Sequence, residues 1–137
     1  VGQPQLREAG HGLDPILDHV RKVADMIGLR DWTFEVEVAK LPDGVRARCD
    51  CVHGRAFARI VVDEGFFTLA PDEKNEALVH ETIHPLLHPL MEHVLDLRDD
   101  LGMRQFQTVE RVFKRDLERI VDALTATVAS AVEPPEC

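Results

Sequence analysis

No stretch of this 137-residue chain approaches the roughly 18–20 consecutive apolar residues that a membrane span needs. The opening residues, VGQPQLREAGHG, hold no apolar signal core. The expected setting is therefore the cytosol, with no membrane partner. Cysteine is scarce: three residues, two of them only two positions apart, do not build a disulfide framework and suit a reducing compartment. Basic blocks are missing as well. With 16 Lys and Arg against 25 Asp and Glu, a formal charge of −9 and a pI near 5.2, a nucleic-acid binder that works by neutralising phosphates is excluded. Tyrosine is absent altogether. What is present is 45% hydrophobic content in the length of one ordinary domain, enough to build a core without help from a metal.

Residues 1–12 carry glycines and a proline without periodicity and read as a flexible leader. A single domain is expected over 13–132. It opens with a helix in which Ile16, Leu17, Val20, Val23, Ala24 and Ile27 recur at three- and four-residue spacing. Asp14 caps it, Pro15 takes its first position and Gly28 closes it. His19, among these apolar positions, reads as a satisfied or solvent-facing residue. Three extended runs follow. In Trp32–Val38 apolar and polar residues alternate, Val45–Val52 comes after a Leu41-Pro42-Asp43-Gly44 turn, and Phe57–Val62 comes after His53-Gly54-Arg55. Short connections predict an antiparallel three-stranded meander with one outer edge open to an added peptide strand.

Pro71 opens a second helix with acidic residues in its first turns. Within it, Ala77–His88 reads ALVHETIHPLLH, so His80, Glu81 and His84 spell the H-E-x-x-H pattern of a zinc-dependent hydrolase. Residues four apart on a helix lie about 40° apart around its axis, which puts both imidazoles on one face where they can grip one metal. Glu81, next to one ligand and a turn from the other, can reach a water on that metal as general base. Val79, Ile83, Leu86, Leu87 and Leu90 form the apolar stripe that would bury the other face. Pro85 and Pro89 predict a kink or an early stop. His88 continues the stripe one turn on and reads as substrate-facing or merely polar, His93 as a surface residue.

A polar connection over 97–104 leads to a long amphipathic helix from about Gln105, its stripe traced by Phe106, Val109, Phe113, Leu117, Ile120, Leu124 and Val128. Glu118 and Asp122 project from one side of it, where a third ligand would be useful. A solvated face with pairs such as Glu118 to Lys114 is the competing reading, and Glu110 is the rival ligand. Cys49, Cys51 and His53 share one side of a strand and could hold zinc, but small core-facing residues show the same spacing. Cys137 reads as free and the tail over 133–137 as frayed.

This order of elements, with the sequences LVHETIH and LERIVDAL, resembles the zincin metallopeptidases in a minimal gluzincin form. It is similar to the small metallopeptidase-like proteins of phage and prophage genomes, whose setting would be the host cytoplasm. The resemblance implies an α+β zincin-like fold and one zinc per chain, held by His80, His84 and Glu118. It also implies Glu81 as catalytic base, Asp122 as the partner that orients a ligand histidine, the third strand as the edge that aligns substrate, and a peptide or protein substrate. The metzincin branch would need histidine at position 90, which is leucine. Because tyrosine is missing, a transition-state donor would come from His53, His88, His93 or an arginine. Two other functions stay open: a zincin scaffold that binds a partner without cleaving it, and a metal buffer that uses the histidines with Cys49 and Cys51.

Overall fold

The computed structural model describes residues 2–137, with side chains from Leu13 onward, so the leader expected over 1–12 lies outside the described side chains. Helix α1 (Gly2–Met26) is followed by strands β1 (Thr33–Ala39), β2 (Ala47–Cys51) and β3 (Phe57–Asp63), then by helices α2 (Pro71–Asp96) and α3 (Met103–Ser130). Single 3-10 turns precede and follow α2. The class is α+β, three helices with one small sheet. Among the described residues, no helix is long and apolar enough to cross a membrane.

The sheet is mixed, not the expected antiparallel meander. Its order is β1-β3-β2, with β1 parallel to β3 from Thr33↔Phe57 to Ala39↔Asp63 and β2 antiparallel to β3 from Ala47↔Val62 to Cys51↔Ala58. Hydropathy explains the insertion. In β3, Ala58, Ile60, Val61 and Val62 are all fully buried, whereas β1 and β2 carry charged residues at Glu35, Glu37, Arg48 and Asp50. The most apolar strand takes the centre, where both neighbours cover it, and the polar strands take the edges. Asp63 secures the crossover by accepting hydrogen bonds from the Leu41 amide at 2.8 Å and the Gly65 amide at 2.9 Å. The third strand is therefore central, and β2 is an edge.

One core cluster joins Ile16, Val20 and Ala24 of α1 to Phe34, Ile60 and Val62 of the sheet and to Phe66 and Leu78, and a second joins Val23, Val79, Ile83 and Val121. At the end of α1, Gly28 takes a φ of +92°, the left-handed cap that glycine alone adopts freely. Pro15 falls inside α1 rather than at its start. Pro85 and Pro89 likewise lie within α2, which runs on to Asp96 instead of stopping. Each proline removes one backbone donor, and the buried Val79, Ile83 and Val94 hold the helix against its neighbours on both sides of the gap.

On α3 the buried residues are Phe106, Val121 and Thr125. Val109, Ile120 and Leu124, placed by spacing on the core stripe, are exposed. The helix has two apolar faces, and α2 covers only one of them. The tail does not fray: Val132 and Pro135 are buried, and the buried Lys74 ammonium donates to the Cys137 carbonyl.

A buried polar relay ties the helices together. His19 Nε2 pairs with Asn75 Oδ1 at 2.8 Å, and Asn75 Nδ2 donates to the carbonyls of Ala129 at 3.0 Å and Val132 at 3.2 Å. Burial lowers the His19 pKa and favours the neutral imidazole, in which Nε2 carries the proton and donates to the Asn75 amide oxygen. Asn75→Ala strands the imidazole and the Val132 carbonyl and removes one donor from the Ala129 carbonyl, which keeps its backbone partners. Denaturant titration should show a loss of roughly 2–4 kcal/mol; a loss below about 1 kcal/mol would mean that water replaces the amide.

Candidate metal centre

Helix α2 presents His80, His84, His88, Glu92 and Asp96 at successive four-residue steps. The first two meet Glu118 of α3. His80 Nε2 lies 3.3 Å from His84 Nε2 and 3.4 Å from Glu118 Oε2, and His84 Nε2 lies 3.2 Å from Glu118 Oε1. Atoms about 2.0–2.1 Å from a tetrahedrally coordinated ion stand about 3.3–3.4 Å from one another. The separation of the two imidazole nitrogens matches an edge of such a tetrahedron, and the Glu118 carboxylate faces each of them with a different oxygen, so the three side chains form a triangle in which an ion could be held. The donor set suits zinc.

The surroundings prepare the ligands. Asp122 Oδ1 stands 3.3 Å from His80 Nδ1, where a carboxylate fixes the tautomer that leaves Nε2 free for a metal. Burial lowers the His84 pKa and favours the neutral imidazole, the ligating form. Val121 and Thr125, buried one turn apart on α3, set the rotation that turns Glu118 and Asp122 towards α2.

Glu81 is nine-tenths buried, and its two oxygens lie 3.9 Å from His80 Nε2 and His84 Nε2 respectively. It groups with His80 and His84 within 4.8 Å, but its oxygens stand farther from each imidazole than those of Glu118 do. Burial, followed by the Glu118 and Asp50 carboxylates, pushes its pKa up to about 8, with the Cys49 amide and Arg46 opposing in part. A carboxyl that changes protonation near neutrality is suited to moving a proton.

The other candidates fall elsewhere. Glu110 pairs with Lys114 at 3.8 Å and belongs to no potential ligand group among the described residues. Lys114 is thus the partner of Glu110 and not of Glu118. Cys49 and Cys51 are half-buried against the core with their sulfurs 3.9 Å apart. The facing Cys51 sulfur and burial hold the Cys49 thiol above its usual range, against the thiolate a metal needs. His53 does not join them. It meets His88 and Glu92 instead, a grouping that crosses from the β2–β3 turn to α2 and was legible only as the four-residue repeat on α2. His93 is exposed.

A cleft of about 490 Å³ opens beside the triangle, walled by Cys49, Asp50 and Cys51 of β2, by His84, Leu87 and His88 of α2, and by Lys114, Leu117 and Glu118 of α3. Edge strand β2, not β3, is the strand beside the ligands. Comparison with protein-family models, curated proteins and solved structures finds no match to this chain.

Proposed function

We propose that the chain is a zinc-dependent hydrolase that acts on peptide bonds in the manner of a minimal gluzincin. The observation that carries this reading is the convergence of His80, His84 and Glu118, whose imidazole Nε2 atoms are 3.3 Å apart and each face one Glu118 oxygen at 3.2–3.4 Å, with the buried Glu81 carboxylate beside them. His80, His84 and Glu118 would hold the ion. When bound, zinc lowers the pKa of a coordinated water towards about 7 and polarises a carbonyl.

The rest belongs to the chain's own residues. Glu81, set farther from the imidazole nitrogens than Glu118 is, takes the proton of the attacking water and delivers it to the leaving nitrogen. Asp122 keeps the His80 ring in register by accepting from Nδ1. The free edge of β2 offers backbone groups to an extended peptide, and the cleft beyond His84 receives a side chain.

Zinc per chain, measured by elemental analysis on reconstituted protein, tests the centre. His84→Ala and Glu118→Ala should each remove one equivalent relative to the native chain, and the native chain should cleave denatured protein only when zinc is present. Loss of zinc in His84→Ala alone would dismiss Glu118 as ligand. Zinc binding combined with capture of peptides that are never cut would replace the hydrolase with a binding module on the same scaffold.

A further inference from the structure

One turn beyond the triangle, the α2 stripe meets the turn between β2 and β3. His88 and Glu92 of α2 and His53 of the turn bring one ligand atom each within 4.8 Å of one another. His88 Nε2 is buried and stands 3.0 Å from Glu92 Oε1, yet it has no hydrogen-bond partner. The two atoms are close without forming a hydrogen bond. Asp96, the next step along the stripe, lies 3.8 Å from His53 Nε2. The Gly54 amide donates to Glu92 Oε1 at 3.1 Å, which fixes the turn against the helix and leaves the second carboxylate oxygen to serve as a ligand.

We propose that His53, His88 and Glu92 form a second zinc site, with Asp96 able to complete it, that staples the β2–β3 turn to α2. Two imidazoles and a carboxylate are a zinc donor set. The site is formed by different residues from the first centre and does not depend on it. Its place gives it a role. Two of the residues it joins, His88 and Glu92, lie on either side of Pro89, in the part of α2 where Pro85 and Pro89 each withdraw a backbone donor, and His88 also walls the cleft. A cation that ties this part of α2 to the hairpin would hold β2 at a constant distance from His84. His53 is more than half exposed, so its ring can swing the last distance to an ion without moving the backbone.

The two sites separate by mutation. A His80→Ala/His84→Ala chain lacks the first centre and should still bind one zinc, read by equilibrium dialysis with elemental analysis, and zinc should raise its Tm. Adding His53→Ala or Glu92→Gln to that chain should weaken the remaining zinc by at least about tenfold, the lower end of what disturbing a metal site costs. Both positions are surface-accessible, and far-ultraviolet circular dichroism confirms that each variant is folded. The proposal is overturned if the double variant binds no zinc, or if its zinc survives both His53→Ala and Glu92→Gln undiminished, as dispersed surface histidines would allow. Failure of the first centre alone would look different: the native chain would then hold one zinc that is indifferent to His84→Ala but lost with Glu92→Gln.

Discussion

Glu81→Gln should retain zinc at the triangle and lose peptide hydrolysis by about a hundred- to ten-thousand-fold, the range that a positioned proton-transfer group contributes. The two halves of this result come from different distances. Each Glu118 oxygen stands 3.2–3.4 Å from the histidine nitrogen it faces, whereas each Glu81 oxygen is 3.9 Å from its own, so Glu118 is the nearer carboxylate and an amide in place of Glu81 should remove no ligand. Glutamine also preserves size and one acceptor oxygen, which leaves the contacts of the buried side chain largely in place. What it cannot do is bind the proton of a water. Glu118→Ala is the contrasting variant, since it should lose activity and zinc together. A clean Glu81→Gln preparation that hydrolyses peptide at the native rate would end the assignment of Glu81 as base, and one that loses its zinc would move Glu81 among the ligands.

The parts of the fold that could be read from the chain are those set by near neighbours. His80 and His84 fall on one face because a helix repeats every 3.6 residues, and α2 starts at Pro71 where a proline and two acidic residues suit a helix N-terminus. Gly28 and the Pro42–Gly44 turn follow from the backbone freedom of glycine. Strand order is of another kind. Whether β3 pairs on the outer side of β2 or inserts between β1 and β2 depends on the total burial of Ile60, Val61 and Val62, which no run of adjacent residues specifies. Period alone also misjudged α3. Ile120 and Leu124 fit the stripe as well as Val121 and Thr125 do, and only the position of α2 decides between these two faces. For the same reason Glu118 and Glu110 could not be separated by spacing, because the choice depends on which turn of α3 lies opposite His84. His53 is the extreme case: it sits 35 positions before His88 in the chain, and only the β2–β3 turn brings the two together.

Without metal, the same Glu81→Gln change should stabilise the protein, and increasingly so as pH rises. In the folded chain Glu81 has a pKa of about 8 against an ordinary value of 4.5. The folded state therefore holds a proton that the unfolded state has released, and stability falls as pH rises through that window. The contribution is intact below about pH 4.5, where both states are protonated, and is lost once pH passes about 8. At about 1.4 kcal/mol per pKa unit, the full loss is roughly 3–5 kcal/mol. Glutamine carries no charge at any pH and escapes it. Denaturant titrations of both proteins with excess chelator at pH 5 and pH 8 should show little difference at the lower pH and a clear advantage for the variant at the higher. The groups that raise Glu81, namely its burial and the carboxylates of Glu118 and Asp50, remain in both proteins, as do His80 and His84, so the difference isolates the one carboxyl. A gap that stays constant between the two pH values would show that Glu81 ionises freely in the folded chain. Zinc should narrow the gap, because a dication beside the carboxylate offsets the burial and repulsion that oppose its charge. The buried acid is then a cost to the empty fold that the metal relieves, and this couples the stability of the domain to zinc through the residue proposed to move the proton.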